Sequence, residues 1–347
     1  MSRLIVSLAA GVAVLFAATA CGDAPAPPPP TVPASVAPSP SPSPLPGANI
    51  TGGPLDLLIV GVDTRINEPG WQPHADALMI LHVSADLGAA YLTSLPRDLV
   101  VDVPAFPPAG FPGGKHKITE SMAYGSAVRN GRPDPAQGVR LLADTTRRYT
   151  GIKEFDATAV ISMEGYDELI DAMGGVDIYV DVRTPSIHRK PDGTRRAWDG
   201  DVQQVYQVGR TTMSGWQALD YARQRYLEGG DYTRQRHHQQ LLKAMLTKAT
   251  GRGVLTDIAA MDAMITAVGG LLQFDGGPHT AIDLAFALSR ITPSTLTLVG
   301  LPGDAVYEYG AYRGEALAPV ASDYFKALNA DTLAAFTAGH PDLIYQS

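Results

Sequence analysis

The sequence predicts an α/β fold: a mixed central β-sheet flanked by helices, an α/β sandwich in a single domain. Three observations carry this. Short apolar runs of strand length alternate with longer stretches of helical periodicity from residue 55 onward, the pattern that buries a sheet between helices. The second and third runs are joined by a turn of only five residues, which pairs them antiparallel. The composition, 45% hydrophobic and 18% charged over 347 residues, is that of an ordinary globular protein with length enough for a sizeable core.

The elements follow in chain order. Residues 1–20 read as a signal peptide: Arg3 supplies a positive start and 4–18 is unbroken apolar and small sequence, too short for a membrane span. Ala18-Thr-Ala20 then precedes Cys21, the sole cysteine, and resembles a bacterial lipobox with Cys21 as the lipidated residue. Ala18 stands where Leu is usual, and a cleaved signal peptide or an uncleaved anchor with an incidental Cys is the alternative. Each reading exports the protein, and lipidation puts it on the outer face of the cytoplasmic membrane. Residues 22–53 are a linker with 11 of the chain's 28 prolines, favouring extended polyproline II.

The folded domain is expected over 54–347. Leu55 to Val62 reads as a buried strand ending at Asp63; 77–83 is a second, just after Asp76; 89–95 is a third, stopped by Pro96. Helices are expected at about 118–130 and 135–149. A strand (155–161), a helix (164–173) and a strand (176–182) follow. Residues 183–212 are polar and irregular, with a hairpin insertion as the expectation. Helices dominate 215–290, 295–300 is a late strand, and 321–336 closes the chain in helix.

This order brings distant residues together. Antiparallel pairing of the first three strands gathers Asp63, Arg65, Asp76, Arg97 and Asp98 on one rim of the sheet. Carboxylates and guanidiniums on one rim suit a divalent metal bridging to phosphate. Taken singly, each is as well explained by turns and surface ion pairs.

A formal net charge of −8 argues against a general nucleic-acid binder, yet 221–240 holds four arginines and two histidines. Ser214 and Gln217 form a capping box for a helix ending near Ala222. Arg223 and Arg225, two apart, diverge on a helix but share a side in extended chain, so Arg-Gln-Arg reads as extended. After Gly229-Gly230, Asp231 is expected to cap a helix to about Thr250. There Arg234 shares the apolar face with His237, His238, Leu241, Leu242 and Met245, while Arg236 lies off it. A charge at that position needs a partner, and a helix N-terminus attracts anions. Pairing with Asp231 is the simpler alternative.

With these motifs the chain resembles the LytR-CpsA-Psr family of cell-wall glycopolymer ligases. The resemblance rests on "LLIVGVDTR" (57–65), "HADALMILHV" (74–83), "LTSLPRDLVVDVP" (92–104), "HKITESMAYGS" (116–126), "MGGVDIYVDV" (173–182), "GWQALDYARQR" (215–225) and "GGDYTRQRHHQQ" (229–240), in that order across 55–250. It implies transfer of a glycopolymer from a polyprenyl-pyrophosphate carrier to peptidoglycan through a phosphodiester, with Mg²⁺ or Mn²⁺. The metal carboxylates fall on Asp63 and Asp76, and the pyrophosphate-binding arginines on Arg97, Arg223, Arg225 and Arg234. The apolar carrier chain is expected between sheet and helices. Asp98 is placed as a base for the incoming hydroxyl, with a structural salt bridge an equal reading. Two residues depart from the family pattern: His238 stands where Gln is usual, with Gln239 next, and "KIT" (117–119) replaces Lys-Ile-Asn. The partners implied are the lipid-linked polymer, peptidoglycan and the membrane through the lipid anchor, with no nucleic acid. A lipid-linked pyrophosphatase using water as acceptor, and a non-catalytic exported binding or attenuator protein, are the alternatives.

Overall fold

In the computed structural model the three leading apolar runs are Leu55–Val62 (β1), Ala75–Val83 (β2) and Ala90–Leu95 (β3), close to the predicted bounds. The described residues are 50–63, 70–197, 199–251, 253 and 257–345; the signal segment, Cys21, most of the linker and Arg65 lie outside them. Next come Val100–Val103 (β4), Gly114–Lys117 (β5), Ile118–Ser126 (α1), Pro135–Thr150 (α2), Ala157–Ser162 (β6), Met163–Ala172 (α3) and Val176–Val180 (β7). The middle holds Thr184–Pro185 (β8), Val205–Tyr206 (β9), Gly209–Met213 (β10), Gly215–Ala222 (α4), Gly230–Gly251 (α5) and Ile258–Val268 (α6). The chain continues with Leu272–Asp275 (β11), Ala281–Ala287 (α7), Leu296–Val299 (β12), Gly303–Glu308 (β13), Ala311–Leu317 (β14), Val320–Asn329 (α8) and Leu333–Gly339 (α9).

The main sheet runs β11-β6-β1-β2-β3-β12. β1, β2 and β3 are successively antiparallel, while β6 joins β1 and β12 joins β3 in parallel, so the sheet is mixed as expected. Alternation sends its side chains to two cores. Leu58, Val60, Leu78, Ile80 and Leu95 pack with Ile118, Met122, Leu141 and Leu142 of α1 and α2 and with Tyr324 and Leu328 of α8. Ala77, Met79, Leu92 and Leu298 face Leu284 of α7 and Leu242 and Leu246 of α5. A third cluster joins Ile170, Val176, Ile178, Tyr221, Leu241 and Met245 of α3, β7, α4 and α5. Local signals set the helix ends: Asp134 caps α2 by accepting from Gln137 N, Pro135 starts it, and Gly151 ends it at φ +77°.

Several elements differ from the sequence expectation. The predicted helix over 118–130 stops at Ser126. Within 183–212 the insertion does fold back, β8 pairing with β9, but its last residues form β10, a partner strand of β7. β11 lies in the stretch read as helical, and its alternating half-burial gives it only a weak strand signature. The hairpins β4–β5 and β13–β14 were also not expected. The closing helix is two helices, broken where Asp331 takes φ +52°.

Candidate active site

The pairing of β1, β2 and β3 brings the end of β1, the start of β2 and the end of β3 to one edge. Val62 pairs with Ala75 and Leu78 with Leu95, so Asp63, Asp76, Arg97 and Asp98 meet there as predicted. Asp76 lies inside β2, which begins two residues earlier than expected. A cavity of about 410 Å³ opens at this edge, lined by those four residues and by Arg223, Arg225, Arg234 and His238. Residues from 63 to 238 thus converge on one site.

The arginines fall into two kinds. Arg97 Nη1 donates to Asp76 Oδ1 at 2.6 Å, and its Nε lies 3.6 Å from Asp98 Oδ1. Arg234, 5% exposed, donates from Nη2 to Asp231 Oδ1 at 2.6 Å. The pairing with Asp231 weighed from the sequence is therefore formed, yet Arg234 also faces the cavity, and its Nε is buried with no hydrogen-bond partner. Arg223 and Arg225 line the same cavity, and neither guanidinium has an acidic partner among the described residues. Arg236 is turned elsewhere, to Asp181 at 2.6 Å.

Arg223 and Arg225 share a side through the residue between them. Arg223 ends α4 in right-handed helical geometry, φ −90° and ψ −6°. Gln224 turns inward and is 1% exposed. Its Nε2 donates to the Asp220 carbonyl at 2.7 Å, and its Oε1 accepts from Ile187 N at 3.0 Å. Fixing Gln224 in the interior leaves the flanking arginines at the cavity. The same Ile187 bond carries His188 into the lining. Sequence reasoning missed His188, because it lies in an insertion without periodicity. It also passed over Lys117, Thr119 and Glu120, members of one motif to which it gave no site role.

Around His188, Arg234 and His238 the neighbouring arginines make the field positive. Burial lowers the pKa of His188, and Arg223 adds to the effect. His238 is held well below the ordinary histidine value by burial, then by Arg234, His237 and Arg223, so it is a neutral imidazole at neutral pH. Burial lowers the pKa of Arg234 despite Asp231, and Arg97 acts in the same direction. Burial also pulls on Arg97, but Asp76 and Asp98 outweigh it and raise its pKa. An anion in this cavity would relieve the repulsion.

α5 begins at Gly230, so Asp231 lies in its first turn rather than capping it. Gln239 points away from the cavity, donating to Ser94 Oγ at 3.0 Å and to the Val299 carbonyl at 2.9 Å, and ties α5 to the sheet. His238, not Gln239, therefore occupies the cavity wall. Asp98 accepts from Lys117 Nζ at 3.0 Å and from the Tyr312 hydroxyl at 3.2 Å, which is the salt-bridge reading. The Asp63 carboxylate makes no hydrogen bond or ion pair among the described residues.

A narrow apolar crevice of about 20 Å³ adjoins the cavity. Gly61, Ala77 and Met79 of the sheet line it on one side; Tyr166, Leu219, Ala222 and Leu241 of α3, α4 and α5 line the other. Met163 and His238 belong to both spaces. Gly61 keeps the crevice wall low: a Cβ there would lie 3.1 Å from the Ala77 methyl.

A model of the LytR_cpsA_psr family matches residues 39–329. A polyisoprenyl-teichoic acid–peptidoglycan teichoic acid transferase, TagU of Enterococcus faecalis, is 26% identical over 258 residues, 73% of each chain. The cell wall biosynthesis protein LcpA of Corynebacterium glutamicum is 25% identical over 78% of this chain, which spans 54% of LcpA's length. Among solved structures, TagT bound to LI-WTA is 21% identical with a TM-score of 0.59, covering 80% of this chain and 90% of TagT. Bacillus subtilis TagU is 20% identical with a TM-score of 0.55, covering 80% and 96%. The six-stranded mixed sheet and its helical layers are thus the fold of these proteins.

Proposed function

The chain belongs to the LytR-CpsA-Psr family, and from that premise we propose that it is a phosphotransferase. It moves a glycopolymer from a polyprenyl-pyrophosphate carrier onto a peptidoglycan hydroxyl. The observation that carries this is the pair of guanidiniums without acidic partners, Arg223 and Arg225, in a cavity that adjoins an apolar crevice. Two guanidiniums free of carboxylate partners suit a pyrophosphate head, and the small crevice beside them is the start of an apolar path that must widen between sheet and helices to take the carrier chain. Relatives named as teichoic acid–peptidoglycan transferases support the same reaction class.

The acceptor oxygen attacks the phosphorus that carries the glycopolymer. The P–O bond to the bridging oxygen breaks, polyprenyl phosphate leaves with that electron pair, and the hydroxyl proton is lost to a base. Such transfer is mainly positioning and stabilisation of spreading charge. Arg223 and Arg225 bind the pyrophosphate oxygens through planar, two-pronged contacts. Arg234 offers its unpartnered Nε, and Arg97 approaches from the sheet edge. Neutral His238 donates from the wall where crevice and cavity meet, taking the part of the family's Gln. Asp98, paired with Lys117 and close to Arg97, holds those two cations at the cavity wall.

Asp63 and Asp76 fit a divalent cation: two carboxylates line one cavity, the first without a partner among the described residues. Mg²⁺ characteristically takes one or two carboxylates plus substrate phosphates and water. When bound it would neutralise charge on the phosphate oxygens. Export and lipidation at Cys21 would hold the domain at the membrane surface where such a donor resides.

Incubating the protein with a lipid-pyrophosphate-linked saccharide, with and without peptidoglycan, tests the proposal. Phosphodiester-linked product and released polyprenyl phosphate, only when peptidoglycan is present, are the expected result. Release with water as acceptor at the same rate would make it a pyrophosphatase instead.

A further inference from the structure

The β13–β14 hairpin is unusual in what it exposes. Tyr307 is 65% exposed, Tyr309 97% and Tyr312 42%. Tyr307 and Tyr312 are register partners across the hairpin, their ring centroids 6.0 Å apart, so they share a face. Tyr309 stands at the turn. Exposed aromatic rings concentrated on one short hairpin are not explained by folding, because they bury little and lie outside the three cores.

The hairpin is also firmly moored, and at the active site. Glu315 N donates to the Asp98 carbonyl at 2.8 Å. Gly314, at φ +148°, allows this approach: a Cβ there would lie 2.2 Å from the same carbonyl oxygen. The Tyr312 hydroxyl reaches Asp98 Oδ2, and Lys117 Nζ sits 4.9 Å from the Tyr312 ring centroid. Asp98 and Lys117 are cavity-lining residues. The aromatic surface is therefore continuous with the wall of the cavity.

Charge selects among ligands for this surface. The hairpin carries Asp304, Glu308 and Glu315 against Arg313 alone, and Arg313 is paired with Glu308 at 3.0 Å. An anionic lipid surface or a phosphate-rich polymer would be repelled. Uncharged sugar rings are suited: their C–H faces stack on aromatic rings, and their hydroxyls donate to carboxylates.

We propose that the β13–β14 hairpin is a binding platform for an uncharged glycan strand, delivering its hydroxyl to the cavity from the Asp98 and Lys117 wall. As the acceptor site this rests on the phosphotransferase reading. The geometry agrees with that role, because the apolar crevice meets the cavity elsewhere, at Met163 and His238. In phosphoryl transfer the attacking and leaving oxygens lie roughly in line, on opposite sides of phosphorus. An acceptor on one wall and a lipid leaving group at a different one leave that arrangement open to the reacting groups.

The test uses the full chain and a hexamer of β-1,4-linked N-acetylglucosamine, titrated by calorimetry or NMR. Wild type should bind the hexamer, and Tyr307→Ala and Tyr309→Ala should each bind about tenfold more weakly, a contact worth about 1.4 kcal/mol. Tyr309→Phe, which keeps the ring, should bind within about threefold of wild type. Absence of hexamer binding by wild type, or equal binding by the alanine variants, overturns the platform. So does binding of anionic phosphatidylglycerol vesicles through the same tyrosines without hexamer binding. In the transfer assay Tyr309→Ala should raise KM for the acceptor and leave pyrophosphate affinity unchanged. If no transfer occurs but tyrosine-dependent hexamer binding persists, the platform stands and the phosphotransferase reading falls.

Discussion

The division of the arginines into paired and unpaired ones can be tested by measuring stability and affinity together. Arg223→Lys and Arg225→Lys keep the charge but remove the planar fork. Neither guanidinium has an acidic partner among the described residues, and each adds to a field that already contains Arg97 and Arg234. Folding should therefore be indifferent to either change, within about 0.5 kcal/mol. Losing one charge-assisted contact to a bound pyrophosphate costs about 1.5–3 kcal/mol, roughly a 10- to 150-fold loss of affinity. Arg234→Met should behave oppositely in folding. It strips Asp231, whose side chain is 19% exposed, of its 2.6 Å partner. Breaking a fully buried pair costs about 3–5 kcal/mol, and the partial exposure of Asp231 puts this case below that range. The assay is calorimetric titration with inorganic pyrophosphate at fixed ionic strength, alongside thermal unfolding of each variant. Two results would refute the reasoning. One is Arg223→Lys and Arg225→Lys binding pyrophosphate as wild type does; the other is a loss of Tm in those variants matching that of Arg234→Met.

Three further outcomes are expected. Asp63→Asn and Asp76→Asn should each weaken Mn²⁺ binding, followed by electron paramagnetic resonance, by at least about tenfold, since outer-shell losses alone cost about 10–100-fold; unchanged Mn²⁺ affinity in both would remove the metal assignment. His82, fully buried between Asp56 at 2.8 Å and Asp331 at 3.1 Å, has burial pulling its pKa down and the two carboxylates prevailing, so it is raised. Its stabilisation is full below the unfolded value of about 6.5 and is lost as pH rises through the folded value, so Tm should fall between pH 6 and 9 in wild type and fall less in His82→Gln. Labelled fatty acid should enter the wild-type protein in the cell and not Cys21→Ser; equal labelling of both would remove the assignment of lipidation to Cys21.

The part of the site that sequence could reveal is the part made by strands. β1, β2 and β3 are consecutive, their apolar runs are short and clearly bounded, and two antiparallel pairings suffice to place Asp63, Asp76, Arg97 and Asp98 at one edge. The helical contribution is different. Where α4 and α5 deliver Arg223, Arg225, Arg234 and His238 depends on their packing with α3 and β7, through Tyr221, Leu241, Ile170 and Ile178. That packing is set by tertiary contacts with no local signature. The family motifs supplied what periodicity could not.

The hairpins show the limit from the other side. Period-two alternation marks a strand only when one of its faces is buried. β13 reads Gly-Asp-Ala-Val-Tyr-Glu and is exposed or half-exposed at every position, so nothing in it alternates. β14 buries only Gly314, the residue with no side chain to announce the contact. Arg223 and Arg225 make a related point. Their spacing was read as aiming two charges at one target, and both arginines line one cavity, but Arg223 itself is helical rather than extended. The aim comes from Gln224, whose inward hydrogen bonds to Asp220 and Ile187 reverse the usual expectation that a polar residue between two arginines faces water. A side chain that turns inward between two charges holds both of them outward, and only the position of its distant partner, in an insertion 37 residues away, could have disclosed it.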